Sequence, residues 1–303
     1  MRADHQSQRT GILSDIHGNT AALEAVLEDI QQQACRQVFV LGDIINGFDP
    51  HGSLSLLRSR SDQQGIALTC IKGNAEMYLL TPGLEDLPEK DKPMNAAVLA
   101  LIGWFKDHLT PEDLAWIDSF PTWLRWGSAC LVHDTPQDRL HPESWYKSGI
   151  PPQYQEWFYH SPGIQPGDEQ GRWEARLDLM RVEGFWQVYC GHTHVAFIRE
   201  IGGRLVCGVG SAGLPLDGDP RPCWALVQVN PDGRHEVSLR RVRYDISRAQ
   251  EMVDRNPDYP DHGQPGFAQA YKRWLVTGIF WQEQLKQGEL NQEEDQDGTR
   301  KNS

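Results

Sequence analysis

Apolar residues come along this chain in short runs, separated by polar segments with helical spacing. Gly11-Ile12-Leu13-Ser14 is a first such run, ending at Asp15. Over 20–33 the apolar positions Ala22, Leu23, Val26, Leu27 and Ile30 recur at helical spacing, and Asn19 can cap the helix start. Gln37-Val38-Phe39-Val40-Leu41 reads as a buried strand ending at Gly42-Asp43. A second helix is expected over about 51–60, and Ile66 to Ile71 is a third strand, ending at Gly73-Asn74. Strand, helix, strand, helix, strand is the signature of a mostly parallel sheet.

Further along, 81–93 is rich in Pro, Asp, Glu and Lys and reads as a surface loop, followed by helical patterns at 94–108 and 111–119. Leu124 to Val132 has the look of a β-hairpin turning near Trp126-Gly127-Ser128 and ending at His133. The stretch 134–168 carries several prolines and the aromatics Trp145, Tyr154, Trp157, Phe158 and Tyr159; its length suggests a lid or substrate loop, with a helix after it near 169–182. Trp186 to Cys190 is a strand that runs into Gly191-His192-Thr193-His194. Short strands are expected around 195–200, 203–209, 223–229 and 235–242, and the turns Gly202-Gly203 and Pro231-Asp232-Gly233 fit an antiparallel second half. The segment 264–286, with Phe267, Tyr271, Trp274, Leu275, Phe280, Trp281 and Leu285, is an amphipathic helix with a break expected near Gly278. Trp274 and Trp281 fit core packing or a dimer face, which leaves a homo-oligomer open. The polar, acidic 287–303 reads as disordered. The expected organisation is a main domain over 1–245, a C-terminal helical extension over 246–286 and the tail 287–303.

Composition narrows the function. The chain has 303 residues, of which 39% are hydrophobic, enough for one large α/β domain or two smaller ones. Against 29 Lys and Arg stand 42 Asp and Glu, a formal net charge of −13, which argues against binding duplex nucleic acid or an anionic membrane. The polar start lacks the apolar stretch of a signal peptide, and the longest apolar run, Ala96 to Phe105, is far short of the ~20 residues needed to span a bilayer. A cytoplasmic location is expected. The cysteines at 35, 70, 130, 190, 207 and 223 form no Cys-x-x-Cys pair and read as small core residues.

The chemistry sits where the apolar runs stop. Asp15-Ile16-His17, Gly42-Asp43, Gly73-Asn74, His133 and His192-Thr193-His194 each follow a strand-like run. Ligand sites of open α/β sheets gather beyond the carboxyl ends of the strands. Two Asp, one Asn and four His in one place suit divalent transition metals better than Ca2+ or a thiolate site.

With these five groups in this order, the chain resembles the calcineurin-like metallophosphoesterases over about 1–245. It is similar in particular to their compact bacterial phosphodiesterase and phosphatase branch, where the first motif continues as Gly18-Asn19 and the second opens a Gly-Phe-Asp-Pro loop at 47–50. The resemblance implies an α/β fold, a two-sheet β-sandwich flanked by helices, with a C-terminal helical extension. It implies two divalent metal ions, Mn2+ foremost, with Fe, Ni2+, Co2+ and Zn2+ also suited. Asp15, His17 and His194 would hold the first, Asn74, His133 and His192 the second, and Asp43 would bridge them. The implied reaction is hydrolysis of a small phosphodiester, phosphomonoester or nucleotide by a metal-bridging hydroxide. The alternatives are a metal-binding pseudoenzyme with a regulatory or interaction role, and a protein phosphatase.

Two positions depart from the family pattern. The third motif usually reads Gly-Asn-His-(Asp/Glu), its histidine protonating the leaving oxygen; here it is Gly73-Asn74-Ala75-Glu76, which leaves Glu76 with nothing to orient. The fourth usually reads His-Gly; here it is His133-Asp134, and Asp134 could be a hydrogen-bond partner of a ligand, a substitute proton donor or a repellent to phosphate. His51, expected in the loop after Asp43, is a second candidate acid.

Overall fold

The computed structural model describes residues 9–80, 92–133, 184–201, 203–260 and 266–279. Two mixed five-stranded sheets stack face to face with helices packed around them. Strands β1 (Arg9–Leu13), β2 (Gln37–Val40) and β3 (Ala67–Cys70) are parallel, with Ile12 opposite Phe39 and Phe39 opposite Thr69. Strands β9 (Cys223–Val229) and β10 (His235–Arg241) complete this first sheet, in the order β10-β9-β1-β2-β3. The second runs β4-β5-β6-β8-β7, from β4 (Trp123–Trp126), β5 (Ala129–Val132), β6 (Gln187–Cys190), β7 (Ala196–Ile201) and β8 (Arg204–Val209).

The period-2 alternation of a strand sorts its side chains into layers. Ile12, Phe39 and Leu41 of the first sheet meet Leu131, Tyr189 and Cys207 of the second in the inter-sheet core. Their neighbours Leu13, Val38 and Val40 turn the other way, into the helical layer, while Cys130, Val132, Val188 and Cys190 build the outer layer of the second sheet. Burial on both faces is why these strands read as near-continuous apolar runs. All six cysteines are buried and none forms a disulfide, and burial pushes the Cys35 and Cys223 thiols up to about 11.

The helices follow their sequence signals. In α1 (Thr20–Gln32), Ala22, Leu23, Val26, Leu27 and Ile30 are buried, and the Asn19 side chain accepts the N–H of Ala22 at 3.1 Å. Helix α2 (Pro50–Gln64) starts on an Asp49 cap and Pro50. Helices α3 (Asn74–Leu80), α4 (Lys92–His108) and α5 (Pro111–Asp118) follow, the last opened by a Thr110–Asp113 capping box. Helix α6 (Ile246–Arg255) and helix α7 (Phe267–Thr277) close the described chain, and α7 ends at Gly278 in the left-handed region. None of the helices among the described residues is long and apolar enough to cross a membrane.

The second half is less antiparallel than its turns imply. β7–β8 and β9–β10 are antiparallel, but β5, β6 and β8 run parallel, and β9 returns to pair with β1, Gly11 opposite Leu226. Cys223 through Leu226 are all buried, so this strand needs an interior position, and pairing with β1 supplies one. Most of the loop at 81–93, the 134–168 segment with its aromatics, the helix expected at 169–182, Trp281 and the 287–303 tail lie outside the described residues.

Candidate metal centre

Because β1, β2 and β3 are parallel, as are β5 and β6, their carboxyl ends open on the same side, and the expected ligands stand just past those five strand ends. The loops after β1 and β2 stay side by side: Asp15 N–H donates to the Gly42 carbonyl at 3.0 Å, His17 N–H to Asp43 at 3.0 Å and Gly18 N–H to Ile44 at 2.9 Å. The Gly191 N–H donates to the His133 carbonyl at 2.7 Å, and the His192 N–H to Asp15 Oδ2 at 2.8 Å, joining the two sheets. Space is short here: a Cβ on Gly47 would run into the His17 carbonyl, so only glycine allows that approach.

All seven residues expected as ligands converge. Asp15, His17 and His194 form one group of donor atoms, and Asp43, His133 and His192 a second. Asp43 faces both, its Oδ2 at 3.7 Å from His17 Nε2 and its Oδ1 at 3.6 Å from His133 Nε2. Asn74 Oδ1 lies 3.0 Å from His133 Nε2 and 3.1 Å from His192 Nδ1. Asp15 Oδ1 is 3.4 Å from His194 Nε2 and 3.7 Å from His17 Nε2.

The backbone is bent to achieve this. Among the described residues six non-glycines have positive φ, and five of them are Asp15, His17, Asp43, His192 and His194. Left-handed backbone is costly for such residues and persists where the surroundings impose it, which marks a functional site.

Three imidazoles are fixed from behind. His17 Nδ1 meets the Asn46 carbonyl at 2.8 Å, His133 Nδ1 the Leu41 carbonyl at 2.7 Å and His194 Nδ1 the Leu214 carbonyl. A carbonyl accepts only from N–H, so each ring carries a proton on Nδ1 and turns Nε2 inward, the nitrogen left to face a cation. Charge is concentrated as well. Burial opposes ionisation of Asp15, yet His194, His17 and His133 hold its carboxyl well below the usual range. Burial also opposes the His133 imidazolium, but Asp43 and Asp15 pull its pKa up to about 9; burial takes His194 down to about 4.

These donors fit divalent cations. Asp15 Oδ1 and His17 Nε2 are buried without a hydrogen-bond partner. Ligands ~2.1 Å from one ion at tetrahedral or octahedral angles stand about 3.0–3.4 Å apart, the spacing that Asn74 and its two histidines show. Seven oxygen and nitrogen donors without thiolate suit a transition-metal dication.

Glu76, for which the sequence offered no partner, is fully buried and has four. Its Oε2 accepts the N–H of Asp43 at 2.9 Å and of Gly73 at 2.7 Å, and its Oε1 those of Ile44 at 2.8 Å and Ile45 at 3.2 Å. It fastens the Asp43 loop instead of a histidine, because its partners are backbone groups invisible to a side-chain motif. Burial, with the Asp43 carboxylate close by, pushes its own carboxyl up. Ala75 donates its N–H to Asp43 Oδ1 at 2.9 Å and packs its methyl in the core. His51 lies in helix α2 rather than a loop and joins neither group: Nδ1 is 2.6 Å from Asp113 Oδ2 and Nε2 is 3.3 Å from Ser55 Oγ. Asp134 lies outside the described residues.

Comparison with known proteins gives a matching context. A family model described as calcineurin-like phosphoesterase matches residues 8–196, more than half of the chain. An uncharacterized protein of Methanocaldococcus jannaschii is 25% identical over 267 residues, 81% of this chain and 91% of that protein. Among solved structures, a metallophosphoesterase from Sphaerobacter thermophilus shares 22% identity at a TM-score of 0.58, over 90% of this chain and 100% of its own. A hypothetical protein from Pyrococcus horikoshii OT3 shares 15% identity at a TM-score of 0.63, over 90% of this chain and 99% of its own.

Proposed function

The chain belongs to the calcineurin-like phosphoesterase family, and from that membership we propose that it is a dinuclear enzyme that hydrolyses small phosphodiesters with good leaving groups. The family makes it a metal-dependent phosphoester hydrolase. The observation that carries the finer reading is Asp43, one carboxylate oxygen turned to each group of donors. Asp15, His17 and His194 would hold one cation, Asn74, His133 and His192 the other, and Asp43 both; Mn2+ is the expected ion. Two dications bound there would supply Lewis acidity and would lower the pKa of a coordinated water.

The chain's own residues set the rest. The ligand set contains only two carboxylates, Asp15 and Asp43, because Asn74 contributes a neutral amide. Two dications therefore leave net positive charge for an anionic substrate. Glu76 keeps Asp43 in place, and the Nδ1 contacts aim His17, His133 and His194. Ala75 carries no proton to give. General acids contribute typically 10²–10⁴-fold, so aryl esters and phosphoanhydrides, whose leaving oxygens depart as stable anions, are the favoured substrates.

The test is hydrolysis of bis(p-nitrophenyl) phosphate by Mn2+-loaded protein, beside diesters whose leaving groups have progressively higher pKa. Metal-dependent turnover that falls steeply along the series and vanishes in Asp43→Ala is expected. Absence of turnover in fully loaded protein would favour a metal-binding pseudoenzyme, and a flat series would reject the missing-acid argument.

A further inference from the structure

We propose that the C-terminal helices α6 and α7, with the turn that follows α6, govern occupancy of the first metal site, the one built from Asp15, His17 and His194, through Tyr259, Tyr271 and Trp274. The inference rests on the dinuclear reading above and assigns a role to a region that lies beyond the segment matched by the family, residues 8–196.

Each aromatic meets a support of a first-site histidine. The Tyr271 hydroxyl lies 3.4 Å from the His17 carbonyl oxygen. The Tyr259 hydroxyl donates to Asn46 Oδ1 at 3.4 Å, and the Asn46 carbonyl is what fixes His17 Nδ1. Phe48 sits between the two tyrosines, its ring centroid 4.2 Å from Tyr259 and 4.8 Å from Tyr271, clamping the loop that touches Gly18. On the other side Trp274 Nε1 donates to the Pro215 carbonyl at 3.0 Å, next to Leu214, whose carbonyl fixes His194 Nδ1. The indole also lies nearly parallel to the His194 ring, 6.2 Å between centroids and 26° between planes. Past the helix end, the Gly278 carbonyl accepts the Gly218 N–H at 3.1 Å and anchors the same loop.

Helix α7 thus grips the loop that presents His17 and the loop after β8 that backs His194, and Tyr259 adds a second hold on the His17 side. The second group leans on other elements: Asp43 on Glu76, His133 on the Leu41 carbonyl, and Asn74 on its place at the start of α3. Groups that orient a metal-bound histidine are worth roughly 10–100-fold in metal affinity. Losing the α7 contacts should therefore weaken one site and spare the other.

The experiment is Mn2+ titration of the full chain by calorimetry, with elemental analysis and electron paramagnetic resonance, comparing wild type, Trp274→Leu, Tyr271→Leu and Trp274→Phe. Wild type should bind two Mn2+ and show a spin-coupled pair. The leucine variants should lose 10–100-fold affinity at one site and show isolated Mn2+ at intermediate concentration. Trp274→Phe, which keeps a ring over His194, should fall between. Adding Asn74→Ala to Trp274→Leu should remove the remaining ion, placing the loss in the first site. Folded variants that bind both ions as wild type does, or that lose both equally, overturn the inference. Wild type that binds fewer than two Mn2+ overturns the dinuclear reading itself, a distinct result. Should Trp274→Leu not fold, Trp274→Phe and Tyr271→Leu decide.

Discussion

The Glu76 carboxylate binds the backbone of Asp43, accepting its N–H at 2.9 Å, and takes three more N–H groups from Gly73, Ile44 and Ile45. An acceptor-only group thus meets four buried donors. Glu76→Ala leaves all four unsatisfied, and at about 1 kcal/mol or more for each the loss should reach ~4 kcal/mol. Glu76→Gln turns an amide NH2 toward two N–H donors and should cost about 2 kcal/mol. Chemical denaturation measures both losses, and elemental analysis should show reduced metal at the Asp43 site. A glutamine variant with native stability and metal content would remove Glu76 from this role.

Gly191 makes the junction between the sheets. A Cβ there would overlap the Ser14 hydroxyl and the Asp15 carboxylate. Asp15 has nowhere to retreat, since the Ser211 hydroxyl and the Gly213 N–H hold its carbonyl at 2.7 and 3.0 Å. Gly191→Ala should therefore destabilise the protein by about 1–3 kcal/mol, as overpacking does, and displace Asp15 from the first metal. A melting curve and a Mn2+ titration check the two parts, and a variant unchanged in both would contradict the packing argument.

Away from the site, Asp29 ties α1 to the first sheet. It accepts Arg240 Nε at 2.7 Å, an Arg240 terminal nitrogen at 2.8 Å and Trp224 Nε1 at 3.0 Å. The Arg240 hydrogen bonds, against some burial, hold its carboxyl below the usual carboxylate range. A depressed folded pKa stabilises above the unfolded value and is lost as pH falls through the folded one. Asp29→Asn should cost about 1 kcal/mol at pH 7, since Arg240 is partly solvated, and the gap to wild type should close below about pH 4. Denaturation midpoints across pH 2–7 for both proteins test this, and a gap that persists at pH 2 would contradict the sign.

How much of this was readable in the chain depends on whether a feature is local. Asp15, Asp43, Asn74, His133 and His192 each follow an apolar run, so strand and ligand could be read together from adjacent residues. The Asn19 cap and the stop at Gly278 were equally local. The role of Glu76 was not, because its partners are N–H groups with no side-chain signature. The return of β9 to β1 was hidden for a similar reason, since a turn such as Pro231-Asp232-Gly233 specifies its hairpin and says nothing about which strand the hairpin joins. Tyr271 and Trp274 read only as apolar positions, and Tyr259 carried no signal at all, because a phenol or indole buried for packing and one that props a loop are spelled alike.

His51 illustrates the converse, a residue type that suits catalysis in a place that serves structure. Asp113, which caps α5 through Thr110, is fully buried and takes both His51 and Arg58. His51→Ala should leave the pH–rate profile of phosphodiester hydrolysis unchanged and cost about 1 kcal/mol of stability. Loss of the acidic or basic limb of that profile would instead return His51 to the list of proton donors.

Chelation should reach both stability and activity, because buried donors that face one another are left unscreened without cations. Asp15 Oδ1 and His17 Nε2 are buried without hydrogen-bond partners, and two carboxylates and four imidazoles crowd together there, most of them on left-handed backbone. A cation that binds only the folded chain adds about 2.7 kcal/mol per site at a concentration 100 times its Kd. Removing metal with EDTA should therefore lower the melting temperature by several degrees and abolish turnover, and adding Mn2+ should restore both. The Asp43→Ala protein, which loses the ligand common to both sites, should show little of this response. A melting temperature indifferent to EDTA in wild type that demonstrably carried metal would mean that the two groups are already satisfied without cations, and the dinuclear reading would fall.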